Sequence, residues 1–223
     1  MKYIIIGNSV YARMLYGYVT ENKENEVVGF SVEKEYILSE ESLIIEKDRG
    51  RKVIPYEEIE QHYTPDEVTL LLAVGYSEMN DTKEKLFQLY KAKGYKFGTY
   101  IHPSAIIAPD VVLGEGNIFF EGTIVQRDVF IGDGNVFFAR TTIAHNCKIG
   151  NFNSFSGASL GGDVTICDKC FIGMGAVIAE NVTLENQVFV GANAYVNSNL
   201  EVGRAALGEK AKIIDREISK RLL

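Results

Sequence analysis

Three histidines occur in the chain, at positions 62, 102 and 145. A side chain that titrates near neutral pH is the first place to look for proton transfer. His145 stands in TTIAHNCKIGNF, residues 141–152, where a neutral imidazole can take a proton from an attacking amine or hydroxyl. Such a base works best beside a donor that holds the developing oxyanion. The cysteines suggest another chemistry. CDKC at 167–170 offers two thiolates at zinc-binding spacing, yet a closed zinc site takes four ligands and only Cys147 remains. Packing accounts for Cys147 and Cys170, no metal is expected, and without a secretory context the three thiols are expected to be reduced.

The surroundings of His145 follow from a repeat. Aliphatic or aromatic residues recur every six positions from Ile107 through Leu113, Phe119 and Val125 to Phe155. After one five-residue step they resume at Leu160 and continue through Ile166 and Ile172 to Val196. Glycine often follows (Gly114, Gly132, Gly150, Gly173, Gly191), and a small or β-branched residue often precedes by two (Thr123, Thr141, Cys147, Ala158, Cys170). This resembles the hexapeptide repeat of a left-handed parallel β-helix, in which three hexads close one triangular coil. Residues 18 apart then stack at about 4.8 Å, the spacing of neighbouring strands. Leu113, Ile131 and Ile149 form one inner column, and Phe119, Phe137 and Phe155 another.

Within that frame His145 lies two residues after the inward Ile143, in an outward column that also holds Arg127, Asp133 and Asn151. The five-residue step shortens one coil, so that Gly162 stacks over the imidazole. A glycine there leaves a backbone N–H for a ligand beside a neutral base, the pairing that acyl transfer requires. His102, in HPSA, reads as a structural corner, and His62, in EEIEQHY, as solvent-exposed.

The part before the repeat has another texture. KYIIIG, EVVGFSV and DEVTLLLAVG are continuous apolar runs, interleaved with helical spacing in SVYARMLYGYVTEN and in DTKEKLFQLYKAKG, which Asn80 can cap and Gly94 closes. Buried strands alternating with helices indicate a parallel sheet of the mononucleotide-binding, Rossmann-like kind. Gly7 ends the first strand, where such folds hold phosphates at the next helix N-terminus; a plain tight turn is the competing reading. The expected organisation is a Rossmann-like α/β unit over 1–100, a β-helix over 101–207 and a C-terminal helix over 208–223. Ile213, Ile214, Ile218 and Leu222 carry the spacing of that helix.

Composition narrows the partners. A net charge of −7 without a Lys/Arg cluster argues against nucleic acid or an anionic membrane. The opening apolar run is too short for a signal peptide or a span. A cytoplasmic protein with a small-molecule partner is expected.

The N-terminal glycine loop, YIHPSAIIAP at the junction, IAHNCKIGNF, GASLGGDVTI and CFIGMGAVI together resemble the sugar O-acyltransferase family of hexapeptide-repeat enzymes. That family includes sialic acid O-acetyltransferases and N-acetyltransferases of nucleotide-linked amino sugars, such as that of the bacillosamine pathway. The resemblance implies a homotrimer with active sites at subunit interfaces, acetyl-CoA as acyl donor in the groove between β-helices, and a nucleotide-sugar held by the N-terminal unit. It assigns His145 as catalytic base, with Asn146 beside it, and the Gly162 N–H as oxyanion donor. It also assigns Ser154, Met174 and Ala192 to the acetyl-CoA groove. Gly7, Asn8, Ser9, Val10 and Tyr11, with Val32 and Glu33 at the end of the second strand, are assigned to the sugar nucleotide.

The chain departs from that pattern at several of these positions. Asn146 stands where a carboxylate commonly flanks the histidine. Asp128, one rung below, is a possible substitute, whereas Arg127 sets a positive charge under His145. Val10 and Tyr11 replace glycine and histidine, Val32 and Glu33 replace a pair of aspartates, and Lys210 replaces the proline of the closing motif. A γ-type carbonic anhydrase, built on the same β-helix, needs three zinc-binding histidines, and only His102 and His145 fall in this region. O-acetylation of a sugar hydroxyl and a non-catalytic sugar-nucleotide-binding scaffold are both compatible with the same motifs.

Overall fold

The computed structural model describes residues 1–37 and 52–211. Five parallel strands, β1 (Lys2–Ile6), β2 (Glu26–Val32), β3 (Lys52–Pro55), β4 (Thr69–Leu72) and β5 (Lys96–Phe97), form one sheet in the order β3-β2-β1-β4-β5. Ile4, Ile5 and Ile6 are all buried, as a strand covered on both faces requires. Helix α1 (Val10–Glu21) buries Ala12, Leu15, Tyr16 and Val19, one stripe of a 3.6-residue period. Two single-turn helices, α2 (Lys34–Ile37) and α3 (Ile59–His62), precede α4 (Asp81–Ala92), which buries Leu86, Phe87 and Tyr90. Because β2 and β4 lie on opposite sides of β1, the order reverses at β1, and a crevice opens beyond the strand C-termini.

From Tyr100 onward the chain winds into a parallel coil, left-handed β-helix-like, with three flat faces. Face I runs from Ile106–Ile107 to Tyr195–Val196, face II from Val112–Leu113 to Thr183–Leu184, and face III from Tyr100–Ile101 to Ala205–Ala206. Ile131 pairs with Leu113 and Ile149, and Phe137 with Phe119 and Phe155, so both expected columns exist. The stacked phenylalanine rings lie 4.6 and 4.8 Å apart. The short coil is also present: Ile143 pairs with Leu160, before Leu160 pairs with Ile178. Cys147 and Cys170 are wholly buried in the small inward column.

An asparagine ladder adds a device that apolar periodicity does not announce. The backbone N–H of Asn135 donates to Asn117 Oδ1, that of Asn153 to Asn135 Oδ1 and that of Cys170 to Asn153 Oδ1, at 2.9, 2.9 and 2.7 Å. Each amide oxygen satisfies a buried corner N–H of the next coil, which would otherwise cost about 1–3 kcal/mol.

The sheet and the coil share a core. Phe87 of α4 meets Phe152 at 5.3 Å, and Tyr11 of α1 meets Phe120 and Phe138 at 5.9 and 5.4 Å. Lys169 bridges Asp81 and Glu84 at 3.1 and 2.9 Å. Residues 208–211 carry no regular structure, and the expected C-terminal helix, with Ile213, Ile214, Ile218 and Leu222, otherwise lies outside the described residues. Among the described residues, no helix is long and apolar enough to cross a membrane.

Candidate active site

His145 occupies the corner at which the chain passes from face I to face II. Ile143 and Cys147 point inward with no exposed surface, so the residues between them must turn outward, and His145 and Asn146 are exposed. The His145 N–H donates to Gln126 Oε1 at 3.2 Å, and its carbonyl accepts from the Asp163 N–H at 3.0 Å. Asn146 adopts φ 59°, a left-handed conformation that asparagine tolerates better than most residues.

The shortened coil brings Gly162 against the ring. A Cβ built there would lie 2.6 Å from His145 Cε1 and 3.0 Å from Nε2, so any larger residue evicts the imidazole. The Gly162 carbonyl accepts from the Asn181 N–H at 3.0 Å. Its own N–H enters no backbone hydrogen bond among the described residues. The corner thus pairs an exposed imidazole with a backbone donor that the ladder does not use.

The expected charges beneath His145 are rearranged. Arg127 Nε meets Asp110 Oδ2 at 3.5 Å, and the Asp128 N–H donates to the same oxygen at 3.1 Å. The side chain that contacts Asn146 comes instead from the rung above, where Asn146 Nδ2 donates to Asp163 Oδ1 at 3.2 Å. The count that sets Gly162 over His145 also sets Asp163 over Asn146, so the signal was present in the sequence. A cavity of about 600 Å³ adjoins the corner, floored by Ile106, Ala108 and Ile124 and rimmed by Arg127, His145 and Asn146.

Met174 and Ala192 are exposed on consecutive rungs, with the Asn193 N–H donating to the Met174 carbonyl at 2.9 Å. They occupy the corner between faces III and I, across face I from His145. Ser154 is elsewhere, which corrects its assignment to the groove. It lies on face III under α4 with 1% exposure, accepts from Lys83 Nζ at 3.3 Å and donates to Asn80 Oδ1 at 3.1 Å. Face III is the face that the N-terminal unit covers, so no groove ligand reaches it. Asn80 precedes α4 in a left-handed conformation without a side-chain cap, because its amide serves Ser154.

A second cavity, of about 900 Å³, opens at the strand C-termini of the five-stranded sheet. Gly7, Asn8, Ser9, Val10, Val32 and Glu33 all line it. Gly7 has φ 124°, and a Cβ there would collide with the Ala73 carbonyl, so the backbone demands glycine at this crossing. Ser9 begins α1 without capping it through its side chain, which leaves first-turn N–H groups toward the cleft, an anion-binding arrangement.

Tyr11 is a correction. It is not among the residues lining the cleft; its ring packs on Phe120 and Phe138, and its hydroxyl donates to the Leu72 carbonyl at 3.4 Å. Burial raises its pKa. The helical turn points Val10 to the cleft and Tyr11 to the coil. Arg13, Tyr36, Tyr56 and Gly75 line the cleft and were not foreseen. Arg13 stands one turn after Ser9 and was findable, whereas Tyr56 and Gly75 follow β3 and β4, whose adjacency to the cleft depends on strand order.

Comparison with known proteins fits this geometry. Residues 163–198 match the family model described as bacterial transferase hexapeptide (six repeats). Comparison with curated protein sequences found no match. The acetyltransferase domain of PglB from Neisseria gonorrhoeae FA1090 superposes with a TM-score of 0.80 at 22% identity, over 96% of this chain and 99% of that one. PerB from Caulobacter crescentus, solved with CoA and GDP-perosamine, gives 0.78 at 24% identity, over 93% and 94%. WeeI from Acinetobacter baumannii AYE gives 0.79 at 23% identity, over 96% and 100%. These likenesses establish a common fold, and the hexapeptide match supports the resemblance read from the motifs.

Proposed function

We propose that the protein is an acetyl-CoA-dependent acyltransferase that N-acetylates a nucleotide-linked amino sugar, in the cytoplasm, for a bacterial surface polysaccharide or glycan. The observation that carries this reading is the His145 ring lying on Gly162, a base and an unused backbone donor at one exposed corner. The acceptor amine attacks the thioester carbonyl, and His145 takes the proton that the nitrogen loses as the C–N bond forms. The Gly162 N–H holds the oxyanion of the tetrahedral intermediate. When the intermediate collapses the C–S bond breaks, CoA leaves, and His145 returns the proton to its sulfur. The acceptor attacks directly, so the reaction needs no covalent enzyme intermediate.

The placement of the parts supports a homotrimer with shared sites. His145 and the Met174–Ala192 edge lie on opposite margins of face I, and the two cavities have no lining residue in common. A groove holding acetyl-CoA against both His145 and the sugar-nucleotide cleft therefore takes residues from neighbouring chains. The fold likeness to PerB, solved with CoA and GDP-perosamine, supports the substrate class, and the 1–100 unit with its Gly7 cleft is read as the Rossmann-like nucleotide-sugar holder.

The test is acetyl-CoA consumption with nucleotide-linked 3- and 4-amino sugars, and with free sialic acid as the O-acetylation control. Turnover on an amino sugar is expected. Turnover on sialic acid alone would move the activity to a hydroxyl, and failure to bind acetyl-CoA would leave a scaffold.

A further inference from the structure

An imidazole that becomes imidazolium as it accepts a proton is favoured by a nearby negative charge. In the residue order that charge is missing, because the neighbour of His145 is Asn146. The fold supplies it from the next coil. Asp163 is tied to the His145 corner at two points: its N–H donates to the His145 carbonyl at 3.0 Å, and its carboxylate accepts from Asn146 Nδ2 at 3.2 Å. A carboxylate only accepts, so the Asn146 amide must turn its nitrogen to Asp163. Both residues adopt left-handed conformations, φ 59° and 58°, which stack the two corners in register. Arg127, the cation one rung below, is engaged by Asp110 on the opposite side from Asp163.

We infer that Asp163 is a positioning residue for His145, fixing Asn146 and supplying from the adjacent rung the negative charge that the histidine's own neighbour lacks. This rests on the acyltransferase reading of the same corner. It also explains why the five-residue step matters twice. In the register of a full-length coil Asp163 would stack over His145 and Val164 over Asn146, taking the glycine off the ring and the carboxylate off the amide.

Asp163→Asn keeps the size and the backbone bonds while removing the charge. It is expected to lower kcat about tenfold, to leave both KM values within about twofold and the melting temperature unchanged, and to move the acid limb of kcat/KM to lower pH. The double variant Asp163→Asn with Asn146→Asp returns a carboxylate to the same corner, and is expected to recover most of kcat and restore the acid limb. In the unliganded protein the His145 Cε1 resonance is followed against pH, so the charge effect is read without turnover; its transition should fall in Asp163→Asn and recover in the double variant. An unchanged transition in Asp163→Asn, or a double variant as impaired as the single one, overturns the inference. His145→Ala, run in parallel, tests the underlying reading separately: full activity there removes the base while leaving the charge coupling measured by resonance intact.

Discussion

Faces I and III of the coil carry similar outward side chains and meet opposite fates. On face III, Ile118, Phe120 and Val136 are 1%, 0% and 3% exposed under α1 and the N-terminal sheet, whereas on face I Ile106, Val177 and Tyr195 are 65%, 43% and 68% exposed. The hexad explains neither pattern, because it dictates only which residues point inward. Burial of the outward ones is decided by what docks on each face. A face left bare while rich in apolar side chains is suited to a second copy, and its margins carry His145 on one side and Met174 with Ala192 on the other. The buried face holds structure; the bare one is flanked by the candidate site.

Breaking the chemical corner should give the largest effect. His145→Ala is expected to lower transfer by about 10² to 10⁴ while the state of association and the melting curve stay as they are. Gly162→Ala keeps the backbone N–H but its methyl would displace the ring, and should cost about 10² in kcat, the lower end of what a general base contributes. Steady-state kinetics beside differential scanning calorimetry checks both, and loss of folding in either variant would blur the division between the faces.

Truncation on the covered face should act on stability instead. Phe120→Ala removes a ring packed against Tyr11 and Tyr18 and is expected to cost about 3–5 kcal/mol in denaturant unfolding. Ile106→Ala on the bare face should leave the protomer within about 0.5 kcal/mol. Charge placed on the bare face, as in Tyr195→Glu, is expected to weaken self-association in sedimentation experiments; an unchanged oligomer would assign the contact to another surface.

A smaller effect is expected from the polar knot under face III. Lys83 is 1% exposed, with Ser154 Oγ as its hydrogen-bond partner, and burial lowers its pKa to about 7. The unfolded chain keeps that proton to about pH 10.4. It therefore binds more protons than the folded chain between about pH 7 and 10, and stability should rise with pH across that window. Below pH 7 the penalty is fully present. Lys83→Met should gain about 1–4 kcal/mol at neutral pH and flatten the rise, which urea midpoints measured against pH would reveal.

Much of this was legible from residue order. The six-residue count identified the inner columns, the short coil and the pairing of His145 with Gly162, because a solenoid's contacts are fixed by a constant sequence offset. Three of the five strands of the N-terminal sheet, β1, β2 and β4, read correctly for a similar reason, since continuous apolar runs have few other uses, whereas the short β3 and β5 were not read. Ser154 and Tyr11 were misplaced because each lies on an element whose outward side faces another part of the chain, and no local period says which side that is. Lys83 was not singled out in the helix read over DTKEKLFQLYKAKG; only the docking of α4 on face III buries it.

By itself, then, the order of residues determined the coil, its register and the candidate base with its backbone donor, all properties of a repeating offset. Tertiary structure decided which face is covered, which polar groups are trapped beneath it, and that the cleft at Gly7 and the corner at His145 lie apart. Those depend on how two units pack, and packing is set by the shapes that long-range contacts bring together.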